Sequence, residues 1–313
     1  MADRRLLGLA AAALAAAAAF LAIGLKGNIA FVLELRLVKL AALVQVGVAI
    51  AISTVIFQTV TGNRILTPSI MGLDALYLFG QMLMVFLLGG VGYVTLDPQM
   101  KFALEVLVLM ALASALLLPM LKSRLDMGLM LLAGVVFGVL FRSLHSLLAR
   151  LIDPNEFSVV QSASFANFNA VRTDLLLFAA VVTVVAAVIA WRARHVLDIV
   201  SLGPDTATGL GVSWAGTVTG LLLLVSALVA VSTALVGPVA FFGLLVAALA
   251  ERIVNTRRHA VLLPAAALAG ILVLVGGQTL FQHALGNATA LGVVIEFVGG
   301  LVFLLLLILG SRT

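Results

Sequence analysis

The side chains that could do chemistry are few and scattered in this sequence. The four histidines, His145, His195, His259 and His283, stand far apart, and none has a metal-ligand spacing such as HExxH. Without cysteine there is no thiolate nucleophile, disulfide or thiolate metal site. Asp198 follows His195 by three residues, which reads as a solvated loop, and no Ser-His-Asp assembly can be argued. No GxxxxGK[ST] loop is present to cradle nucleotide phosphates. The chain offers no catalytic residue and no metal site, and it asks for no cofactor. What it does carry are ionisable groups in apolar surroundings: Asp74, Glu105, Arg142 and Glu296. A charge at the centre of a bilayer costs about 2.5–3.5 kcal/mol on insertion scales, so such groups face a bundle interior or a wet cavity. Glu296 lies between Gly292 and the pair Gly299–Gly300, on a helix that can approach its neighbours closely. It reads as a pathway carboxylate or as a hydrogen-bonded structural group.

The elements that must position these residues follow from composition. The chain has 313 residues, is 64% hydrophobic and only 10% charged, and its mean hydropathy is +1.28. Soluble domains carry about 25% charged residues. Lipid is therefore the natural solvent, and the expected fold is all-α, a polytopic integral membrane protein. The net charge of +5 would suggest nucleic acid in a soluble protein; here it reads as loop cations that set topology against membrane lipid.

Ten apolar segments can be drawn, near 5–25, 38–61, 70–91, 102–120, 126–144, 172–191, 212–236, 238–250, 260–281 and 290–310. The first, preceded by Arg4 and Arg5, is longer than a signal peptide's apolar core and reads as an uncleaved helix. The eighth is short enough to be a partial crossing. No polar linker divides the chain, so residues 1–313 read as a single membrane domain. Alternating ten crossings from a cytoplasmic N-terminus leaves both termini inside, along with the majority of the 18 Lys and Arg residues.

Three stretches need more than topology to explain them. Residues 36–72 open on two cations, Arg36 and Lys39, at the outer end, cross as an apolar run, and turn through Gly62-Asn63-Arg64 and Pro68. The polar residues Gln45, Ser53 and Gln58 along that crossing are candidates for lining a pathway, or for ordinary interhelical hydrogen bonds. The outer stretch 145–171 holds Asp153, Pro154, Glu156, Phe157, Phe165 and Phe168 and cannot cross; it suits a surface helix or a lip over a cavity. The inner stretch 243–264 gathers Glu251, Arg252, Arg257, Arg258 and His259 into a basic amphipathic patch ahead of Pro264. Such a patch suits a cytoplasmic partner or a plain positive-inside anchor.

These stretches resemble the FecCD-type permeases of binding-protein-dependent importers for iron chelates and cobalamin. Arg36-Leu37-Val38-Lys39, Gly47, Gln58, Asn63, Pro68 and Gly72 follow that family's first block. Gly209-Leu210-Gly211 and Gly237-Pro238-Val239-Ala240-Phe241-Phe242-Gly243-Leu244 follow the second, and Gly292 with Gly299-Gly300-Leu301-Val302-Phe303 the third. The departures are Val38 and Lys39 for Pro and Arg, Ile65-Leu66-Thr67 for Pro-Leu-Ala, and Gln278 and Gln282 where an Asp and an Arg are usual. SIMGLDALY at 69–77 with DPNEF at 153–157 is similar to the branch that carries catecholate-type ferric siderophores.

The resemblance implies a cobalamin-importer-like permease fold in a bacterial inner membrane, working by alternating access. It implies a second permease subunit, alike or sister, two cytoplasmic ATPase subunits and a periplasmic siderophore-binding protein. It assigns Arg36 and Lys39 to binding-protein docking, and Leu244, Glu251, Arg252 and Arg257 to an ATPase coupling loop. Gln45, Ser53, Gln58 and Glu296 stay candidates for the pathway. The alternatives are a permease for cobalamin, haem or another metal chelate, and an ion-coupled secondary transporter using Glu296 or Glu105.

Overall fold

The computed structural model describes residues 2–25, 27–122, 127–161, 166–169, 171–284 and 291–310, and every regular element among them is helical. The long helices are α1 (Ala2–Ala22), α2 (Ile29–Thr61), α3 (Asp74–Thr95), α4 (Pro98–Lys122) and α5 (Met127–Leu151). They continue with α7 (Thr173–Arg192), α10 (Trp214–Val236), α12 (His259–Ala284) and α13 (Leu291–Gly310). Four shorter helices sit between them: α6 (Pro154–Gln161), α8 (Arg194–Val200), α9 (Pro204–Gly209) and α11 (Phe242–Val254). Among the described residues eight helices are long and apolar enough to cross a bilayer, and α13, with 20 residues, has the length for another. In lipid this is the expected outcome, because a helix satisfies its own backbone.

The eighth expected crossing is the exception. Helix α11 has 13 residues, about 20 Å at 1.5 Å per residue, too short for a hydrocarbon core of about 30 Å. Gly237, at φ 100, and Pro238 stop α10, and Phe241 turns the chain through φ 57 before α11 begins. Gly299 of α13 accommodates that turn: a Cβ there would lie 2.7 Å from the Cβ of Phe241. The second half of the α10–α11 pair is thus a half-length helix starting inside the bundle.

Helix α2 is the centre of the molecule. It packs against α7, α10, α11 and α12, and 78% of its most apolar window is buried. Asn28 caps its start by accepting from the Phe31 N–H, and Gly62 ends it in the left-handed conformation. Its approach to α12 is backbone on backbone. A Cβ on Gly270 would stand 2.4 Å from the Gly47 carbonyl oxygen, and one on Gly47 would stand 3.0 Å from the Gly270 carbonyl carbon. Small residues allow such contact, which replaces the hydrophobic drive that lipid cannot supply.

Two ends follow. Phe20 to Gly24, Lys39, Tyr93, Gln99 and Asp174 share one end through their mutual contacts or those of their immediate neighbours, here called the Lys39 end. Arg64, Asp198, Glu251 and His259 share the other, the Arg64 end, where Arg5 also reaches the Ile253 carbonyl at 3.1 Å. Within 145–171, residues up to Leu151 continue α5, and Pro154–Gln161 forms α6, the surface helix; Phe165 lies outside the described residues. Glu156 of α6 accepts from the Gly90 N–H at 2.7 Å where α3 breaks at Gly89, φ 70.

Candidate functional site

At the Lys39 end, Arg36 is only 8% exposed. Its Nη1 donates to the carbonyls of Phe20 (2.9 Å), Leu21 (3.1 Å) and Ile23 (2.7 Å), and its Nη2 to that of Gly24 (3.2 Å). The last carbonyls of a helix lack intrahelical partners and carry the negative end of its dipole. A guanidinium has several donors and a permanent charge, so Arg36 closes the end of α1 against α2. Those donors are spent inside the chain. Lys39 is the cation of the pair that keeps solvent contact: it is half-buried and donates to Asn169 Oδ1. Between these elements lies a cavity of about 430 Å³ lined by Phe20, Glu34, Lys39, Phe168, Asn169 and Gln282, among others. Arg172 pairs with Asp174 at 3.0 Å, and Gln99 donates to the same carboxylate at 3.1 Å, which ties the start of α4 to α7.

Gln45, Ser53 and Gln58 of the α2 crossing each donate to a partner inside the chain, while Gln45 Oε1 and Thr54 Oγ1 are buried without one among the described residues. Gln45 Nε2 donates to Thr183 Oγ1 of α7 at 2.9 Å, and the fully buried Ser53 donates to the Ile50 carbonyl at 2.9 Å. Gln58 donates to the Arg64 carbonyl and pins the turn that follows α2. Glu296 accepts from the Ala240 N–H, so it braces the non-helical turn ahead of α11. Glu105 is buried with Gln81 and Tyr93 as hydrogen-bond partners, and Lys101 lies 3.5 Å from the Tyr93 ring centroid.

At the Arg64 end, Glu251 receives Arg64 at 3.3 Å and Arg257 at 3.8 Å beside a cavity of about 150 Å³. Gln58, Thr59, Ser201 and His259 also line it. Arg252 is exposed, whereas Leu244 is completely buried on α11 and offers no surface to a partner.

Sequence reasoning missed the buried clasp beside this cavity. His259 Nδ1 lies 2.7 Å from Asp198 Oδ1, and its Nε2 lies 2.7 Å from Thr59 Oγ1. Asp198 is therefore not a solvated loop residue. It stands on α8 and also accepts from the His259 backbone N–H at 2.9 Å, capping α12 from another helix. The arrangement has the outline of a Thr-His-Asp triad but not its chemistry. The Thr59 hydroxyl donates to the Val55 carbonyl at 2.7 Å, so toward His259 it can only accept. On the other side the Asp198 carboxylate accepts from His259 Nδ1. A hydroxyl so engaged cannot hand its proton to the imidazole, as a nucleophile must. The sequence signal for short helices here is Gly203-Pro204-Asp205 and Gly211, which bracket α9 with start and stop residues. The result is a pair of short helices, α8 and α9, whose ends display Leu202 and Leu210 at 57% and 58% exposure. Among the described residues no group of His, Asp and Glu is placed to hold a metal ion.

The site thus sits in a bundle of full-length apolar helices with one half-length helix and with short helices at one end. The FecCD transport family matches residues 7–309. This chain belongs to that family. It is 42% identical, over 92% of its length and 91% of the relative's, to the petrobactin import system permease protein YclO of Bacillus subtilis. It is 32% identical to the petrobactin import system permease protein FatC of Bacillus anthracis, covering 87% of this chain and 77% of that one. Its fold matches an inward-facing metal-chelate type ABC transporter with a TM-score of 0.83 at 22% identity, over 98% and 99% of the two chains. As a FecCD chain it is a multi-pass transport subunit and not an enzyme.

Proposed function

We propose that this FecCD chain is the permease subunit of an ABC importer that moves a ferric siderophore of catecholate type across a bacterial inner membrane. The observation that carries this is the 42% identity to a petrobactin import permease over nearly the whole of both chains. A single membrane domain supplies half of the pathway, and a second permease, alike or sister, supplies the other half. Two ATPase subunits and a siderophore-binding protein complete the machine. The carboxylates on which an ion-coupled carrier would depend have structural partners: Glu105 with Gln81 and Tyr93, Glu296 with Ala240.

In this reading the Arg64 end faces the cytoplasm and the ATPase. Glu251, Arg252 and Arg257 contribute charge there, and the exposed Leu202 and Leu210 of the α8–α9 pair contribute apolar anchors. The His259–Asp198–Thr59 clasp joins that pair to α12 and α2, so a push on α8 reaches the two helices at the centre of the bundle. The Lys39 end faces outward. Lys39 is the docking cation for the binding protein, and Arg36 holds the helix that presents it.

The test is uptake of iron-55 petrobactin into proteoliposomes holding this permease with its partner subunits and the binding protein outside. Uptake that requires internal ATP and stops with vanadate supports the reading. Uptake that follows an ion gradient without ATP overturns it.

A further inference from the structure

One spanning helix presents polar groups that no described residue satisfies. Helix α5 has only 11% of its most apolar window buried. Its inward side is well anchored: a Cβ on Gly72, which has φ 90, would lie 2.9 Å from the backbone nitrogen of Gly138. Another side exposes Arg142, Ser143, Ser146 and Arg150. Their spacings of one, three and four residues put them on one helical stripe. With Val139 and Leu147 they line an open groove of about 420 Å³.

Neither guanidinium has a hydrogen-bond or ion-pair partner among the described residues. Arg150 lies in the last turn of α5, and Arg142 stands about 12 Å further in along the helix axis. A cation that deep is too costly to leave against hydrocarbon, so this stripe borders a watery space or an anion. The groove has the volume of a small-molecule site, typically about 300–1,000 Å³.

We infer that the Arg142–Ser143–Ser146–Arg150 stripe of α5 is a contact site for an anionic ferric chelate on its way through the membrane. This rests on the transport reading above and adds to it the charge of the cargo and the residues that recognise it. A ferric tris-catecholate is a polyanion, because its deprotonated oxygens outweigh the ferric charge. A ferric tris-hydroxamate of similar bulk is neutral. Two fixed guanidiniums flanked by hydroxyls match the first and gain nothing from the second. A site open to water and shared with another chain makes each contact weak, as passage demands.

The chain has no cysteine, which makes the test direct. Ser143→Cys and Ser146→Cys are introduced singly, and the assembled importer in nanodiscs is treated with a negatively charged methanethiosulfonate. Both cysteines are expected to react. Ferric tris-catecholate is expected to slow the reaction about tenfold, a differential of about 1.4 kcal/mol, and neutral ferric tris-hydroxamate to leave it unchanged. Adding Arg142→Gln is expected to remove the protection, and Arg142→Lys to keep part of it. Unreactive cysteines would mean that lipid or another chain covers the stripe, and would overturn the inference. So would reaction without protection, or equal protection by both probes. ATP-driven petrobactin uptake by the same preparations separates the two readings: if uptake persists while the stripe fails, only the stripe assignment is lost.

Discussion

Helices α2 and α5 are both apolar enough to cross a membrane, yet they solve opposite problems. Helix α2 is surrounded by its own chain, and its buried cation and several of its polar side chains bond inside it: Arg36 to four carbonyls, Gln45 to Thr183, Ser53 to Ile50. Helix α5 is held along one side by the turn at Gly72 and by α3, and it carries two arginines with no partner among the described residues. The arginine on α2 is a finished joint, although Gln45 Oε1 and Thr54 Oγ1 there are buried with no hydrogen-bond partner among the described residues. On α5 each arginine is an unfinished one, and it marks where cargo or another subunit belongs. Residue type alone does not separate the two cases, because Arg36 and Arg142 are the same side chain with opposite accounts.

The largest effect should come from the contact that makes α2 central. Gly270→Leu puts a side chain where a Cβ would already stand 2.4 Å from the Gly47 carbonyl oxygen, and neither backbone can move without separating α2 from α12. Overpacking commonly costs about 1–3 kcal/mol, and a backbone clash lies at the upper end or beyond. The variant should lose most of its monodisperse protein in size-exclusion chromatography. A normal elution profile and melting temperature would show that α2 is not the centre of the bundle.

Arg36→Leu should come next. It leaves the final carbonyls of α1 without their donors at a part-buried site, and each unmet buried group costs about 1–3 kcal/mol. Thermal unfolding in detergent should show a clear fall in melting temperature, and Arg36→Lys should recover only part of it, since one ammonium cannot span four carbonyls. The comparison would be broken if Arg36→Leu kept full stability and lost only binding-protein association. Arg36 would then be a docking residue, as the family resemblance implies.

Much of this was legible beforehand. Apolar length placed the long helices, although α2 begins nine residues before the segment drawn for it and α5 ends seven residues after its own, and the short apolar run at 238–250 announced the shortened α11. The packing role of Gly47 was not visible, because its partner Gly270 lies more than 200 residues away and nothing local to either names the other. Arg36 and Lys39 looked alike on paper as outer cations. What parts them is that Arg36 faces the end of α1, which depends on the turn between α1 and α2. Asp198 was misread for the same reason: spacing tied it to His195, its neighbour in sequence, whereas its partner His259 begins a different helix. Periodicity reports which face is apolar, and it says nothing about which polar group on that face meets which.

The smallest effect is also the most discriminating for α5. Val136 and Leu140 are exposed there, at 55% and 46%. Truncating each to Ala in the isolated permease should change stability by less than about 0.5 kcal/mol, as for other sites that touch nothing. In the assembled importer the cost depends on what meets that face. If a second permease covers it, the same truncations lose packing atoms and should cost about 1 kcal/mol or more. If lipid covers it, the cost stays near zero, since a hydrocarbon tail replaces the contact. Measuring subunit dissociation on heating in nanodiscs, with and without the truncations, reads the difference. A cost already present in the isolated chain would mean that α5 is finished by its own chain after all, and the contrast with α2 would fall.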